Sequence, residues 1–439
     1  MVEGFAVAKS PKDIAFYASL LSSSFATAQT LTIMYWSRLS DRIGRRPVLI
    51  IGQCGNLVAS LLFSVSTSFY MALGARSFNG LLVGNVAVVK SVLAEISDDT
   101  NRARVMALLP LVWSIGSVAG SAVGGVFADP AKMYPGIFGH FKPFIVFPYL
   151  LPCLIGVLVT ALGLFIGFFS FKETLVKKKE RALPAIEGPT ETTPLNPVVS
   201  QPQQRGFKEL MTPTVTAVMI NSALACLIIS MSDQIYPIFA ATSTDDGGLG
   251  FDSRSIGYSL AISGLAVFYL QLVVYPRMER KYGALYCYRC GQALMIPYLL
   301  LMPFLSSLAA RARTSVTGVE FCILWVALVV LLLVRVAGQV LASTSINLLT
   351  VNLAPTRADL GFMSGVQQLA MSVTRVIGPL SGGLAWSWSL KQGLPYPFNA
   401  HFVWVLCAAL TLYSLYLAQS IPDSVNVFAA DLDEEQQST

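Results

Sequence analysis

The chain has 439 residues, 54% hydrophobic and 12% charged, with a formal net charge of +6. A soluble domain carries about one quarter charged residues, so there is too little polar surface here to cover a water-exposed globule of this length. The basic residues sit in particular loops rather than on a continuous patch, which argues against a nucleic-acid partner.

Met1 to Lys12 has no apolar core and no small-residue cleavage site, so it does not read as a signal peptide. Apolar runs long enough to cross a bilayer follow at 13–35, 47–69, 71–94, 105–127, 144–170, 213–240, 255–276, 284–305, 318–351, 360–386 and 399–419. That predicts about eleven spans. The 318–351 run is longer than a bilayer needs, so it tilts or protrudes. Composition shifts between 171 and 212. Lys177, Lys178, Lys179 and Arg181 precede Pro184, Pro189, Pro194, Pro197 and Pro202 in a polar stretch that buries too little to fold. The reading is therefore a first bundle over 1–170, a linker over 171–212, a second bundle over 213–420 and a polar tail over 421–439.

Placing the 36–47 loop in the cytoplasm and alternating sides puts about 18 of the 30 Lys and Arg on inner loops, as the positive-inside rule requires. The linker and tail are then cytoplasmic. Met1 falls outside, directly before the first span, and the simplest expectation is that one further N-terminal helix belongs to this fold.

Four basic residues lie within predicted spans: Arg76, Lys90, Arg335 and Arg375. Each costs about 2.5–3.5 kcal/mol at mid-membrane. They must line a polar crevice, pair internally or snorkel. Arg76 and Lys90 are close to four helical turns apart, so a continuous helix puts both on one face with Asn79 and Val83, and Glu95 is a partner for Lys90. Asp233 is the clear carboxylate inside a span, next to Gln234 and Tyr236 and one turn before Pro237. An aspartate in such a place is a candidate proton carrier. The competing reading is a structural partner for Arg335 or Arg375. Gln339, Gln368 and Tyr236 are further candidates to line the crevice.

Cysteines are scattered, and the Cys287–Cys290 pair lacks the two further ligands that zinc needs. No metal or cofactor is expected. The sequence shows no Ser/His/Asp set, HExxH or phosphate-binding loop, so an enzyme is not expected either.

The two halves echo each other. Arg76 with Gly80 and Arg335 with Gln339 fall 259 residues apart, and the glycine clusters at Gly120–Gly125 and Gly378–Gly383 fall 258 apart. Two echoes at one offset point to a duplicated bundle. The stretch Ser37-Arg-Leu-Ser-Asp41-Arg42-Ile-Gly44-Arg45-Arg46-Pro47 resembles the signature loop of the major facilitator superfamily, with Ser37 where that family has its first glycine. Arg76 and Gly80 resemble its helix-4 motif. Gly116, Gly120, Gly124 and Gly125 resemble its helix-5 antiporter motif, with Ser121 in place of the usual proline. More narrowly, Ile14-Ala-Phe-Tyr17, Ala128-Asp-Pro130, Tyr134-Pro135 and Phe147-Pro148-Tyr149-Leu-Leu-Pro152 resemble fungal and plant zinc-induced-facilitator-like members of the drug:proton antiporter group.

The resemblance implies an all-α polytopic protein of two pseudo-symmetric bundles, with about 11 spans where the family has 12. It implies a monomer in a plasma or vacuolar membrane, with the lipid bilayer, a small-molecule substrate and protons as partners. Asp41, Arg42, Gly44, Arg45 and Arg46 become the gate. Asp41 is expected to accept charge-assisted hydrogen bonds or cap the next helix, Gly44 to allow a tight turn, and the arginines to reach lipid phosphates or the other bundle. Gly116, Gly120, Gly124 and Gly125, with Gly378, Pro379, Gly382 and Gly383, are expected to let helices approach closely. The leading expectation is proton-coupled export of a small organic molecule by alternating access. The alternatives are uptake of a nutrient or metal chelate, and an inactive truncated relative.

Overall fold

The computed structural model describes residues 2–5, 7, 10–83, 88–89, 92–93, 96, 102–173, 211–314, 318–353, 360–393 and 395–426. Within a bilayer the backbone must satisfy its own hydrogen bonds, and the described secondary structure is helical throughout. The first five long helices are α1 (Ile14–Ile43), α2 (Arg45–Ser64), α3 (Phe69–Leu82), α4 (Arg102–Val126) and α5 (Leu150–Ser170). Then come α6 (Pro213–Ala241), α7 (Ser253–Tyr269), α8 (Ala284–Leu301), α9 (Val319–Asn352), α10 (Leu360–Gln392) and α11 (Phe402–Gln419). A π turn over Leu270–Val274 carries α7 on into Tyr275–Tyr282, and Leu305–Thr314 extends α8. Seven helices among the described residues are both long and apolar enough to cross a membrane. The fold is that of an all-α polytopic membrane protein.

Each predicted span contains a helix, but the third is shorter than expected. α3 ends at Leu82, where Val83 caps it with φ −90° and ψ 20°. The single helical face proposed for Arg76 and Lys90 therefore does not follow from α3. Lys90, Glu95, the stretch 174–210 and the tail from 427 lie outside the described residues.

Local chemistry sets the helix ends. Thr212 accepts from the Val215 N–H at 3.3 Å and Pro213 opens α6, while Asp252 accepts from the Ser255 N–H at 3.0 Å to open α7. Gly44 (φ +107°) and Gly283 (φ +83°) separate consecutive helices in backbone conformations that side chains rarely adopt.

The second half packs around Ile228, Met231, Ile235 and Phe239 of α6, which meet Tyr298, Trp386 and Trp404. The Phe239 ring sits edge-on to Trp404 at 5.3 Å and to Trp386 at 6.0 Å. Polar groups also tie this bundle together. Tyr288 and Ser414 both donate to Asn221 Oδ1, at 3.2 and 2.9 Å, and Gln292 donates to the Tyr288 hydroxyl at 2.9 Å.

Two helix pairs join the halves, α1 with α10 and α4 with α7. Ser23 donates to the Val376 carbonyl at 3.0 Å, Lys12 donates to the Leu390 carbonyl at 2.8 Å, and Asp13 pairs with Lys391. A side-chain carbon at Gly383 would collide with Ser19. Gly125 and Gly257 meet backbone to backbone, with no room for a side chain on either. These contacts cluster at the end of the bundle away from Gly44, which makes that end the closed one.

The packing expectation fails for part of the glycine series. Gly116, Gly120 and Gly124 have nothing within 4 Å of where a side-chain carbon would sit, so among the described residues they bring no helices together. Gly125 does so alone. On α10, Gly378 lies against Ser230 and Gly382 against Ile235, both on α6. Gly257→Val is expected to cost about 1–3 kcal/mol by overpacking, whereas Gly116→Ala, in open space, is expected to be neutral or to stabilise by about 0.5–1 kcal/mol. Thermal unfolding of the two variants in detergent checks the contrast, and equal melting temperatures would contradict this account of the interface.

Candidate functional site

Asp233 lies on α6 one turn before Pro237, which has no N–H to donate to the Asp233 carbonyl. The local backbone is therefore more polar than elsewhere in the helix. Arg335 comes from the middle of α9, and its guanidinium Nη2 bonds the Asp233 carboxylate Oδ1. The two ends of this ion pair differ in burial: the Arg335 side chain is 6% exposed and that of Asp233 54%. One turn further along α9, Gln339 donates from Nε2 to the same Oδ1 at 3.1 Å.

Aromatic rings complete the lining. The Arg335 guanidinium carbon lies 5.7 Å from the Tyr236 ring centroid and 5.8 Å from that of Tyr298, within cation–π range. Tyr236 in turn shares a hydrogen bond of 2.5 Å with Ser259, tying α6 to α7. Arg335 Nε and the Tyr298 hydroxyl are buried without a hydrogen-bond partner. Buried polar atoms are normally satisfied, so this cluster holds unused bonding capacity beside the carboxylate.

Of the other residues singled out in the sequence, Gln234 is half-buried on α6 beside the cluster, and Gln368 is half-buried on α10. It is the neighbouring Gln367, buried, that bonds across to α6 by donating to Ser222 at 3.0 Å. Arg76 lies over the Phe63 ring at 4.8 Å, and its Nε and Asn79 Oδ1 are both buried without a partner. Arg375 lies over the Trp113 ring at 5.6 Å. Asp233, Arg335, Gln339 and Tyr236 thus form one cluster, while Arg76 with Asn79 and Arg375 stand apart from it.

Residues 12–379 match the Major Facilitator Superfamily. The chain belongs to that superfamily. It is 32% identical to Protein ZINC INDUCED FACILITATOR 1 of Arabidopsis thaliana over 89% of this chain and 80% of the relative. It is 29% identical to the major facilitator superfamily multidrug transporter mfsB of Aspergillus fumigatus over 96% of this chain and 80% of the relative. Among solved structures, a D-xylose-proton symporter matches with a TM-score of 0.64 at 12% identity, over 94% of this chain and 90% of the other. The fold is that of a major facilitator transporter.

In the loop that carries this superfamily's signature, Asp41 takes the first of its two expected roles, a charge-assisted bond to an arginine. Asp41 does not cap α2. It pairs with Arg45 Nη1 at 2.5 Å, and the same nitrogen donates to Ser40 Oγ at 2.6 Å. The cap is Glu173, just past α5. Its Oε1 accepts from the Arg45 N–H at 2.8 Å and its Oε2 from the Arg46 N–H at 3.1 Å. A carboxylate against a helix N-terminus is favoured by both hydrogen bonding and the helix dipole. Among the described residues Arg46 contacts its own bundle: it donates to the Phe168 carbonyl at 2.5 Å and lies 5.4 Å from that ring's centroid. Arg42 is exposed.

The second half repeats the arrangement. Asn426, just past α11, accepts from the Leu285 N–H at 2.9 Å beside Gly283. In each half a polar residue a few positions past the last long helix caps the helix that follows a positive-φ glycine. Glu173 and Asn426 were not singled out from the sequence. The signal available was a glycine in each half, Gly44 and Gly283, opening an apolar helix after a basic stretch. Glu173→Ala is expected to lower unfolding stability by about 1 kcal/mol through the lost cap, with Glu173→Gln losing less. Denaturant or thermal unfolding in detergent checks this, and an Ala variant as stable as the parent would refute the cap.

Proposed function

We propose that this transporter couples proton movement to export of a small organic molecule by alternating access, with Asp233 as the proton carrier. The supporting observation is the asymmetry of the ion pair: a half-exposed carboxylate held by a buried guanidinium. Water can reach the acid without having to reach the base.

A proton added to Asp233 removes the counter-charge of Arg335. The buried guanidinium then keeps only the rings of Tyr236 and Tyr298 and the polar groups around them, a costly arrangement inside a bundle. Gln339 loses its ionised acceptor at the same step. Protonation therefore alters how α6 and α9 are tied together. The contacts at the closed end link α1 to α10 and α4 to α7 and include only one described ion pair, Asp13 with Lys391. Such a junction can part and reform as the halves rock. The Gly44 loop stays bound within its own half through Glu173 and Arg46, so it moves as a rigid part of that half.

A drug-like organic substrate is supported by the name of the fungal relative, a multidrug transporter. Uptake of a nutrient or chelate uses the same parts with the opposite direction of net flux. A plasma or vacuolar membrane and a monomeric state belong to the same reading.

The test is flux into proteoliposomes under an imposed pH gradient. Asp233→Asn is expected to lose gradient-driven accumulation by at least about tenfold while retaining exchange of labelled for unlabelled substrate. Because the change leaves Arg335 uncompensated, at a cost of about 3–5 kcal/mol, the Asp233→Asn, Arg335→Gln pair serves as the folded control. Gradient-driven flux that survives in both variants would remove Asp233 from the mechanism.

A further inference from the structure

The second charged residue in the middle of the second half is Arg375, and its setting differs from that of Arg335. On α10, Gly378 and Gly382 face α6, while Val376 and Gly383 face α1. At 100° per residue, Arg375 projects between these two directions, into the space the halves share. Its guanidinium carbon lies 5.6 Å from the ring centroid of Trp113 on α4. In the second half the main partner of α4 is α7, and the Arg375–Trp113 contact is a separate meeting of the two halves. Both side chains are exposed, Trp113 to 68%. Pro379, one turn on, supplies no N–H to the Arg375 carbonyl, so the backbone here is polar as it is at Asp233.

Among the described residues no carboxylate lies within ion-pair distance of Arg375 or of Arg76, whereas Arg335 has Asp233. The described middle portions of the spans therefore carry three guanidiniums and one carboxylate. An arginine with only a ring beside it among the described residues keeps its five donors in a planar fork that matches a carboxylate. An exposed indole beside it offers a flat apolar face.

We propose that the crevice takes an organic anion with a planar aromatic body, its acid group on Arg375 and its ring against Trp113. This rests on the transport reading above and names the substrate class. Because the two groups come from different halves, such a substrate bridges the halves, and its departure leaves the cation–π contact between the two side chains.

The experiment measures equilibrium binding to the full chain in nanodiscs. The probes are 1-naphthoate, salicylate and cinnamate, each against its own amide, with 1-naphthylmethylammonium as the cation. At least one acid is expected to bind about tenfold or more tightly than its amide, as a charge-assisted contact supplies. Arg375→Gln is expected to remove that preference while leaving the amide's affinity unchanged, with Arg375→Lys restoring part of it. Trp113→Leu is expected to weaken acid and amide alike, by about two- to fivefold. Acids that bind no more tightly than their amides across the whole panel, tighter binding of the cation, or an acid preference intact in Arg375→Gln would each overturn the proposal. Flux under a pH gradient separates the two readings. Selective acid binding without gradient-driven flux refutes the coupling and keeps the acid site. Gradient-driven movement of the cation with no acid bound does the reverse.

Discussion

A guanidinium in the middle of an apolar bundle is the constraint around which the second half is organised. Arg335 is 95% shielded from solvent, and a buried charge is tolerated only when paired and hydrogen-bonded. Asp233 supplies the counter-charge, Gln339 a second donor to that acid, and Tyr236 and Tyr298 the surrounding rings. Each of these lies on α6, α8 or α9, so the position of one charge fixes how three helices meet. The same demand leaves the acid at the edge of the crevice, half exposed, where a proton can reach it.

The two halves meet this demand unequally. The second half carries the ion pair, an extensive aromatic core and the Asn221–Tyr288–Ser414 network. The first half carries Arg76 over Phe63 and a glycine series that faces open space at Gly116, Gly120 and Gly124. What the halves share is the cap, a polar side chain past the last helix closing the N-terminus of a helix introduced by Gly44 or Gly283. A duplicated bundle is thus most visible in its loop chemistry, and the central charges have diverged.

Much of the fold was legible in the sequence because bilayer-length apolar runs leave few alternatives to helices. The Asp233 pairing was legible down to two partners, Arg335 or Arg375, and the folded structure selects Arg335, because helical position does not fix which neighbour a long side chain reaches. Glu173 and Asn426 were not legible. Both follow their helices in stretches without apolar periodicity, and their partners are backbone N–H groups about 130 to 140 residues away. The expected face shared by Arg76 and Lys90 runs outside the described residues, while α3 itself ends at Leu82. Apolar composition continues past Leu82, but composition does not report where a helix stops. The glycine spacing on α4 set a face without saying what that face meets.

One-sided access of water to the Asp233 cluster, with the other end sealed where α1 meets α10, underlies the whole mechanism. Its most direct test is labelling of Gln339→Cys, which keeps the Asp233–Arg335 pair, in a chain whose 7 native cysteines are replaced. With sealed vesicles and an impermeant thiol reagent, the cysteine should react from the Gly44 side and be protected from the other. A cysteine protected from both sides, or reached only from the end that carries Asp13 and Lys391, would contradict it.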